Sequence, residues 1–233
     1  GNLNKIMIAL VDVNNFYVSC ERLFNLKLSN KPVIVLSNND GCVISRSNEA
    51  KLLGIKMGVP LFKVKNIIKL SNITVLSSNY SLYEDISSRT MSLLSSFSNQ
   101  QEIYSIDECF LGLSGDQNIY ATGQKIKKQL WKYLDMPVCV GIASTKTLAK
   151  LANYCAKKQP QWSGVCDLSK LPDIKINNIM SKINVVEVWG IGIKTANKLK
   201  AIGIDSVLDL KKSNAIYIKK KFSISIEKII YEL

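Results

Sequence analysis

Short apolar runs alternate with helically spaced hydrophobic positions over the first 170 residues of the chain. Residues 6–11 (Ile-Met-Ile-Ala-Leu-Val) form a continuous apolar run and read as a buried strand. Residues 14–24 read as a helix with Phe16, Cys20, Leu23 and Phe24 on one side. Residues 32–37 are a second strand, followed by the polar turn Asn38-Asn39-Asp40-Gly41. A short helix over 46–53 stops at Gly54. A loop at 58–60, a weak helix at 62–70 and a short strand at 74–77 follow. Over 80–97 the period is helical, with Tyr83, Ile86, Thr90, Leu94 and Phe97 facing one way. Strands at 103–106 and 109–113 flank the pair Asp107-Glu108. Residues 119–134 form an amphipathic helix, with Ile126, Leu130 and either Tyr133 or Leu134 inward. A strand at 137–142, a helix at 145–157 (Leu148, Leu151, Ala152 and Cys155 on one face) and a short strand at 164–168 complete this part. Beyond residue 168 strand signals stop and short Lys-rich helices run to the end, which places a domain boundary there. No repeated or low-complexity segment interrupts the pattern.

With residues 19–77 set aside, the order is strand, helix, strand, strand, helix, strand. That is the βαββαβ order of a split, ferredoxin-like sheet. Right-handed crossovers put the third strand between the first and second, antiparallel to the first. Asp12 ends the first strand and Asp107-Glu108 precede the third, so topology brings three carboxylates to one sheet edge. Clustered carboxylates raise one another's pKa unless a cation sits among them. Oxygen-only ligation points to a hard ion, Mg²⁺ or Mn²⁺. Two such ions can clamp the attacking and leaving oxygens of a phosphoryl transfer. The same residues also read more plainly: Asp107-Glu108 as a polar hairpin turn, Asp12 as a helix N-cap.

Composition narrows the chemistry. The chain has 233 residues, 47% hydrophobic and 21% charged, an ordinary globular balance with room for one large or two small domains. It has no His, and its six Cys show no CxxC pair, which argues against zinc and excludes a His-based triad. The Cys read as buried thiols of a reducing cytoplasm. No apolar run reaches the roughly 18 residues of a membrane span, and no signal-peptide pattern is visible. Gly1 stands where an initiator Met is expected and reads as a tag remnant. Net charge is +13, distributed unevenly: residues 125–158 carry eight Lys against the single acid Asp135. Such charge points to a polyanionic partner, nucleic acid before an acidic membrane; a Lys-rich composition set by an AT-biased genome is the plainer alternative.

Near the C-terminus, Val185-Val-Glu-Val-Trp-Gly190-Ile-Gly192-Ile-Lys194 reads as helix, Gly-Ile-Gly, helix, with Lys198 one turn on. The glycines permit a tight turn whose backbone N–H groups open the next helix, a phosphate-binding geometry independent of base sequence. A plain helical hairpin fits the same letters.

Four motifs together carry a family resemblance. Asp12-Val-Asn-Asn-Phe-Tyr17, Ser105-Ile-Asp107-Glu108-Cys-Phe110 and Val140-Gly-Ile-Ala-Ser-Thr-Lys146-Thr-Leu-Ala-Lys150 resemble the Y-family of translesion DNA polymerases. The segment 35–51, with 54–60, resembles its UmuC branch; the DinB-like (polymerase IV) branch has Tyr where this chain has Asn48. The resemblance implies an α+β chain. Residues 1–18 and 78–168 would be the palm, 19–77 the fingers, and 169–233 a helix-hairpin-helix thumb, with the little finger and C-terminal tail beyond this chain. It implies Asp12, Asp107, Glu108 and the Val13 carbonyl as ligands of two Mg²⁺ (or Mn²⁺). Asp107 would be shared and Glu108 would be on the primer side. Tyr17 becomes the steric gate under the incoming sugar, although Phe16 is the better core candidate of the two. Ser45, Asn48, Lys51 and Lys157 would face the triphosphate, with Asn48 a departure from the other branches, and Phe16 would border the nucleotide. Val43 and Ile44 would line the nascent base pair. Gly190, Gly192, Lys194, Lys198, Lys146 and Lys150 would meet DNA. The activity implied is error-tolerant addition of dNTPs opposite damaged template in the SOS response. The implied partners are primer-template DNA, a processed UmuD dimer, a RecA filament and the sliding clamp. Without a little finger, extension by this chain alone is expected to be weak. The rivals are a non-catalytic DNA-binding module and another two-metal enzyme on the same sheet, such as a nucleotide cyclase.

Overall fold

A computed structural model describes residues 5–114 and 118–233, so the expectation about Gly1 falls outside the described residues. In chain order the elements are β1 (Ile6–Val13), α1 (Phe16–Phe24), β2 (Val33–Leu36), β3 (Val43–Arg46), α2 (Asn48–Leu52), α3 (Leu61–Leu70) and β4 (Thr74–Ser77). Then come α4 (Tyr80–Ser95), β5 (Gln101–Ser105), β6 (Glu108–Ser114), α5 (Ile119–Leu134), β7 (Val138–Ala143), α6 (Lys146–Lys158) and β8 (Val165–Asp167). The helices α7 (Asp173–Ser181), α8 (Ile193–Ala201), α9 (Val207–Lys212), α10 (Ala215–Lys221) and α11 (Ile224–Glu232) close the chain.

The larger sheet has the order β5-β6-β1-β7-β8, the split topology that the sequence pattern implies. β6 lies antiparallel between β5 and β1. β8 adds a parallel edge beside β7, a place the apolar pattern alone does not assign. Period-two alternation sends Ala9, Val11, Cys109 and Leu111 into a core under α1, α4 and α5. Leu10, Phe110 and Cys139 go to the opposite face, under α6. The predicted inward faces of α4 and α6 are buried except at Leu148 and at Phe97, which lies past the end of α4, both partly buried, and at the end of α5 it is Leu134 that packs inward while Tyr133 is exposed. On α1, Phe16 and Cys20 are buried but Phe24 is exposed, because the helix ends there and turns its last residue to solvent.

Close approach fixes the placement of α6. A Cβ on Gly141 would stand 2.1 Å from the backbone nitrogen of Asn153 and 2.5 Å from the carbonyl of Ala149. The buried Asn153 amide then donates to the carbonyls of Leu10 (3.1 Å) and Cys139 (3.0 Å), tying the helix to two neighbouring strands.

The smaller sheet, β3-β2-β4, has its own core of Ile34, Leu36, Val43, Ala50, Ile55, Val64 and Ile73. Val33 and Val35, on the other face of β2, join the core of the larger sheet. Helix α1 packs against both parts and runs unbroken through residue 18, where the resemblance would divide palm from fingers.

The C-terminal helices extend the α6-side core continuously. The run before Gly190 is not the helix that its apolar spacing suggests. It forms only the 3₁₀ turn Val185–Glu187, and Val188 is already extended. Three β-branched valines within four positions disfavour helix, and the Asn184 side chain caps the turn locally. Among the described residues no helix is long and apolar enough to cross a membrane.

Candidate active site

The edge of the larger sheet is assembled by register. Asp12 sits opposite Glu108 across the β1–β6 ladder, and the Val13 N–H donates to the carbonyl of Asp107 at 2.9 Å. The Ser105 hydroxyl reaches both Asp107 Oδ1 (2.8 Å) and Glu108 Oε2 (3.1 Å), so these two carboxylates share one donor. Asp12 is buried, and burial pushes its carboxyl up to about 6 against the pull of Lys157, with Asp107 and Glu108 adding repulsion. Burial also raises Asp107, opposed by the Ser105 hydrogen bond. The backbone therefore brings all three expected carboxylates within each other's field.

Two lysines of α6 reach into the same edge. Lys157 Nζ bonds Asp12 Oδ2 at 2.6 Å, and Lys150 Nζ bonds Glu108 Oε1. As the side chains stand, no three His, Cys, Asp or Glu among the described residues enclose one metal position. In this arrangement Asp12 and Glu108 each turn to a separate ammonium. The donor set nonetheless fits a hard divalent cation: three carboxylates, no softer ligand, and mutual repulsion that a cation would relieve.

Beside this edge lies a pocket of about 200 Å³ lined by Asn14, Asn15, Asn48, Lys51, Cys139, Lys157 and Lys158. The pocket thus gathers Asn48, Lys51 and Lys157, three of the residues expected at a triphosphate. Lys51 is lowered to about 8, first by desolvation and then by Arg46, Lys158 and Lys157. Asn48 accepts from the Asn15 amide at 3.0 Å. Helix α1 begins here with Asn15 in a left-handed conformation and without a side-chain cap. Ser45 meets the Val18 N–H, which leaves the N–H groups of Phe16 and Tyr17 without a side-chain cap.

Other expected contacts fall differently. Ser45 is buried, and its hydroxyl accepts from the Val18 N–H (3.3 Å), holding α1 rather than facing the pocket. Val43 is fully buried in the smaller core, because strand alternation turns it away from the cleft. Its neighbour Ile44 is half-buried against the larger core. Phe16 is buried as core, leaving only its backbone to meet a ligand. The Tyr17 ring packs on Tyr83 at 4.4 Å and near Tyr80 at 6.0 Å. Its hydroxyl is raised by burial and by the charges of Tyr80 and Asp107, which places it within Asp107's field.

On the other side of Glu108 a second surface begins. The Lys150 ammonium lies 6.0 Å over the Tyr104 ring, and the Tyr104 hydroxyl accepts from Trp189 Nε1 at 3.0 Å. Trp189 leads into Gly190 (φ +92°), Gly192 and the uncapped start of α8, where Lys194 and Lys198 are exposed. Lys146 pairs with Glu102 at 2.5 Å over the Phe110 ring. Ser105, Tyr104 and Trp189 carry none of the expected roles. The nearest signal is that Lys150 and Lys157 share one face of α6 seven residues apart.

A family model described as the impB/mucB/samB family matches residues 11–154. The chain belongs to this family. It is 45% identical over 230 residues to the protein ImpB of Salmonella typhimurium and 46% identical over 231 residues to the protein UmuC of Salmonella typhimurium strain LT2. Each match covers 97% of this chain and 54% of the relative. Identity to the DNA polymerase IV of Saccharolobus solfataricus is lower, 33% over 213 residues, covering 88% of the chain and 58% of that protein. The chain thus spans about half the length of the curated relatives it matches. Among solved structures, an insertion ternary complex of Dbh DNA polymerase superposes with a TM-score of 0.80 at 25% identity, covering 96% of this chain and 66% of that one. The fold is that of the core of these Y-family polymerases, and the higher identities lie with ImpB and UmuC rather than with polymerase IV.

Proposed function

We propose that this chain is the catalytic core of an error-prone translesion DNA polymerase of the UmuC kind. The observation that carries this reading is the meeting of three carboxylates on adjacent strand ends with a lysine-lined pocket beside them. In this reading Asp12, Asp107, Glu108 and the Val13 carbonyl hold two Mg²⁺ (or Mn²⁺). These ions would stabilise the negative charge that develops on the attacking 3′-oxygen and on the leaving pyrophosphate. Lys51, Lys157 and the first N–H groups of α1 bind the triphosphate, and Asn48 orients it. Tyr17, wedged on Tyr83, closes the space that a ribose 2′-hydroxyl needs. Asp107 would be the ligand common to both ions and Glu108 would serve the primer side. The larger sheet with α4–α6 acts as palm, the smaller sheet as fingers and α7–α11 as thumb. The Gly190 turn, Lys194, Lys198 and Lys146 follow the duplex backbone. The processed UmuD dimer, the RecA filament and the sliding clamp are the partners this reading carries.

The test is single-nucleotide incorporation across an abasic template by the full-length gene product with its partners. Asp107→Asn is expected to lose about 100-fold or more, the scale of removing one electrostatic contribution to a transition state. Incorporation by Asp107→Asn at the parent rate sinks the reading. A non-catalytic duplex-binding module remains the competitor, favoured by the exposed Lys194 and Lys198; it predicts binding without incorporation.

A further inference from the structure

Lys150 and Lys157 do more than line the site. Each ends on a different carboxylate of the same edge, Lys150 on Glu108 and Lys157 on Asp12, while Ser105 bonds Oδ1 of Asp107 and the second oxygen of Glu108. We propose that these two ammoniums are built-in counter-cations which a divalent ion must displace, so that metal occupancy is coupled to the arrival of the polyanionic substrates. This rests on the metal-site reading above.

The charge count argues for it. Two divalent cations and two ammoniums set against three carboxylates leave three positive charges in excess, in a site where Asp12 is buried and Lys51 and Lys158 stand close by. Metal binding alone therefore sets like charges on the same carboxylates, where their repulsion opposes occupancy. A triphosphate and a primer phosphate supply the missing negative charge. They also accept the lysines once these leave: Lys157 already borders the triphosphate pocket, and Lys150 lies over Tyr104 on the side leading to the Gly190 turn. Coupling of this kind is reciprocal, so each ligand tightens the other. Lys150 is on this account a positioning residue for Glu108, where the sequence suggests a DNA contact.

The measurement is Mn²⁺ binding by paramagnetic resonance of the free ion, on the chain as it stands, with a melting curve to confirm folding. Lys150→Met and Lys157→Met are expected to bind Mn²⁺ about tenfold more tightly than the parent, a usual size for coupling between sites. Lys150→Arg, which keeps the charge, should match the parent. Adding primer-template duplex, corrected for what the duplex binds alone, should tighten the parent and narrow its gap to Lys150→Met. Equal or weaker Mn²⁺ binding by both Met variants overturns the inference. So does Lys150→Arg behaving as Lys150→Met. If the parent binds too weakly to measure, the double Met variant should bind measurably, and its failure to do so overturns the inference as well. Asp107→Asn separates the two claims: if it binds Mn²⁺ as the parent does, the metal-site reading itself falls.

Discussion

The carboxylate edge of the larger sheet and the glycine turn before α8 are built in opposite ways. At the edge, position comes from long-range register: Asp12 against Glu108, Val13 against Asp107, and α6 seated on Gly141. Asp12 and Glu108 answer to lysines 145 and 42 positions away, with the local Ser105 hydroxyl between Asp107 and Glu108. At the turn, the bend itself is one local backbone conformation, Gly190 at φ +92°, tied back through Trp189 to Tyr104, and the lysines beyond it are exposed. A site that must place charges to fractions of an ångström is over-determined, whereas one that follows a phosphate backbone can rest on a local turn.

Substitutions separate the two kinds of construction. Gly141→Ala should have the largest effect, about 3 kcal/mol or more of lost stability, because backbone rather than a side-chain tip occupies the Cβ position; chemical denaturation measures it. Next is the pH dependence of Asp12, read in EDTA. The folded carboxyl takes its proton near pH 6 and the unfolded one near 3.9, so between these values the folded state binds more protons. Stability contributed by this group therefore rises as pH falls from about 6 to 4, by at most about 1.4 kcal/mol per unit. Against Asp12→Asn the parent should gain over that window; a constant difference contradicts the assignment. At the turn, Gly190→Ala should cost about 1 kcal/mol or more, from its positive φ and from Ile229 Cδ1 at 3.1 Å. Gly192→Ala, with open space around it and φ −85°, should stay within about 0.5 kcal/mol. A Gly192→Ala as damaging as Gly190→Ala would mean that the turn is not locally built.

The same division explains what the letters reveal. The strands and α4, α5 and α6 are legible because apolar spacing states them directly, and the strand order follows from handed crossovers. The three carboxylates are legible because strand ends and topology locate them. The partners of Lys150 and Lys157 are not, since an ion pair spanning 42 or 145 positions leaves no periodic trace. Val43 and Ser45 share a motif with pocket residues, but alternation in β3 turns them inward. The run Val185–Val188 has helical spacing without helical propensity, and local capping decides it as a 3₁₀ turn.

Helix α6 also acts as a ruler. Lys150 and Lys157 stand seven residues apart, about 10.5 Å along the axis and nearly in line after two turns. Asn153, between them on that face, pins the rotation through Leu10 and Cys139. A slip of one residue would swing both lysines by about 100° and carry each off its acid together. Two acids that face each other across one ladder are thus served by lysines two helical turns apart, and the amide at Asn153 sets the phase of both.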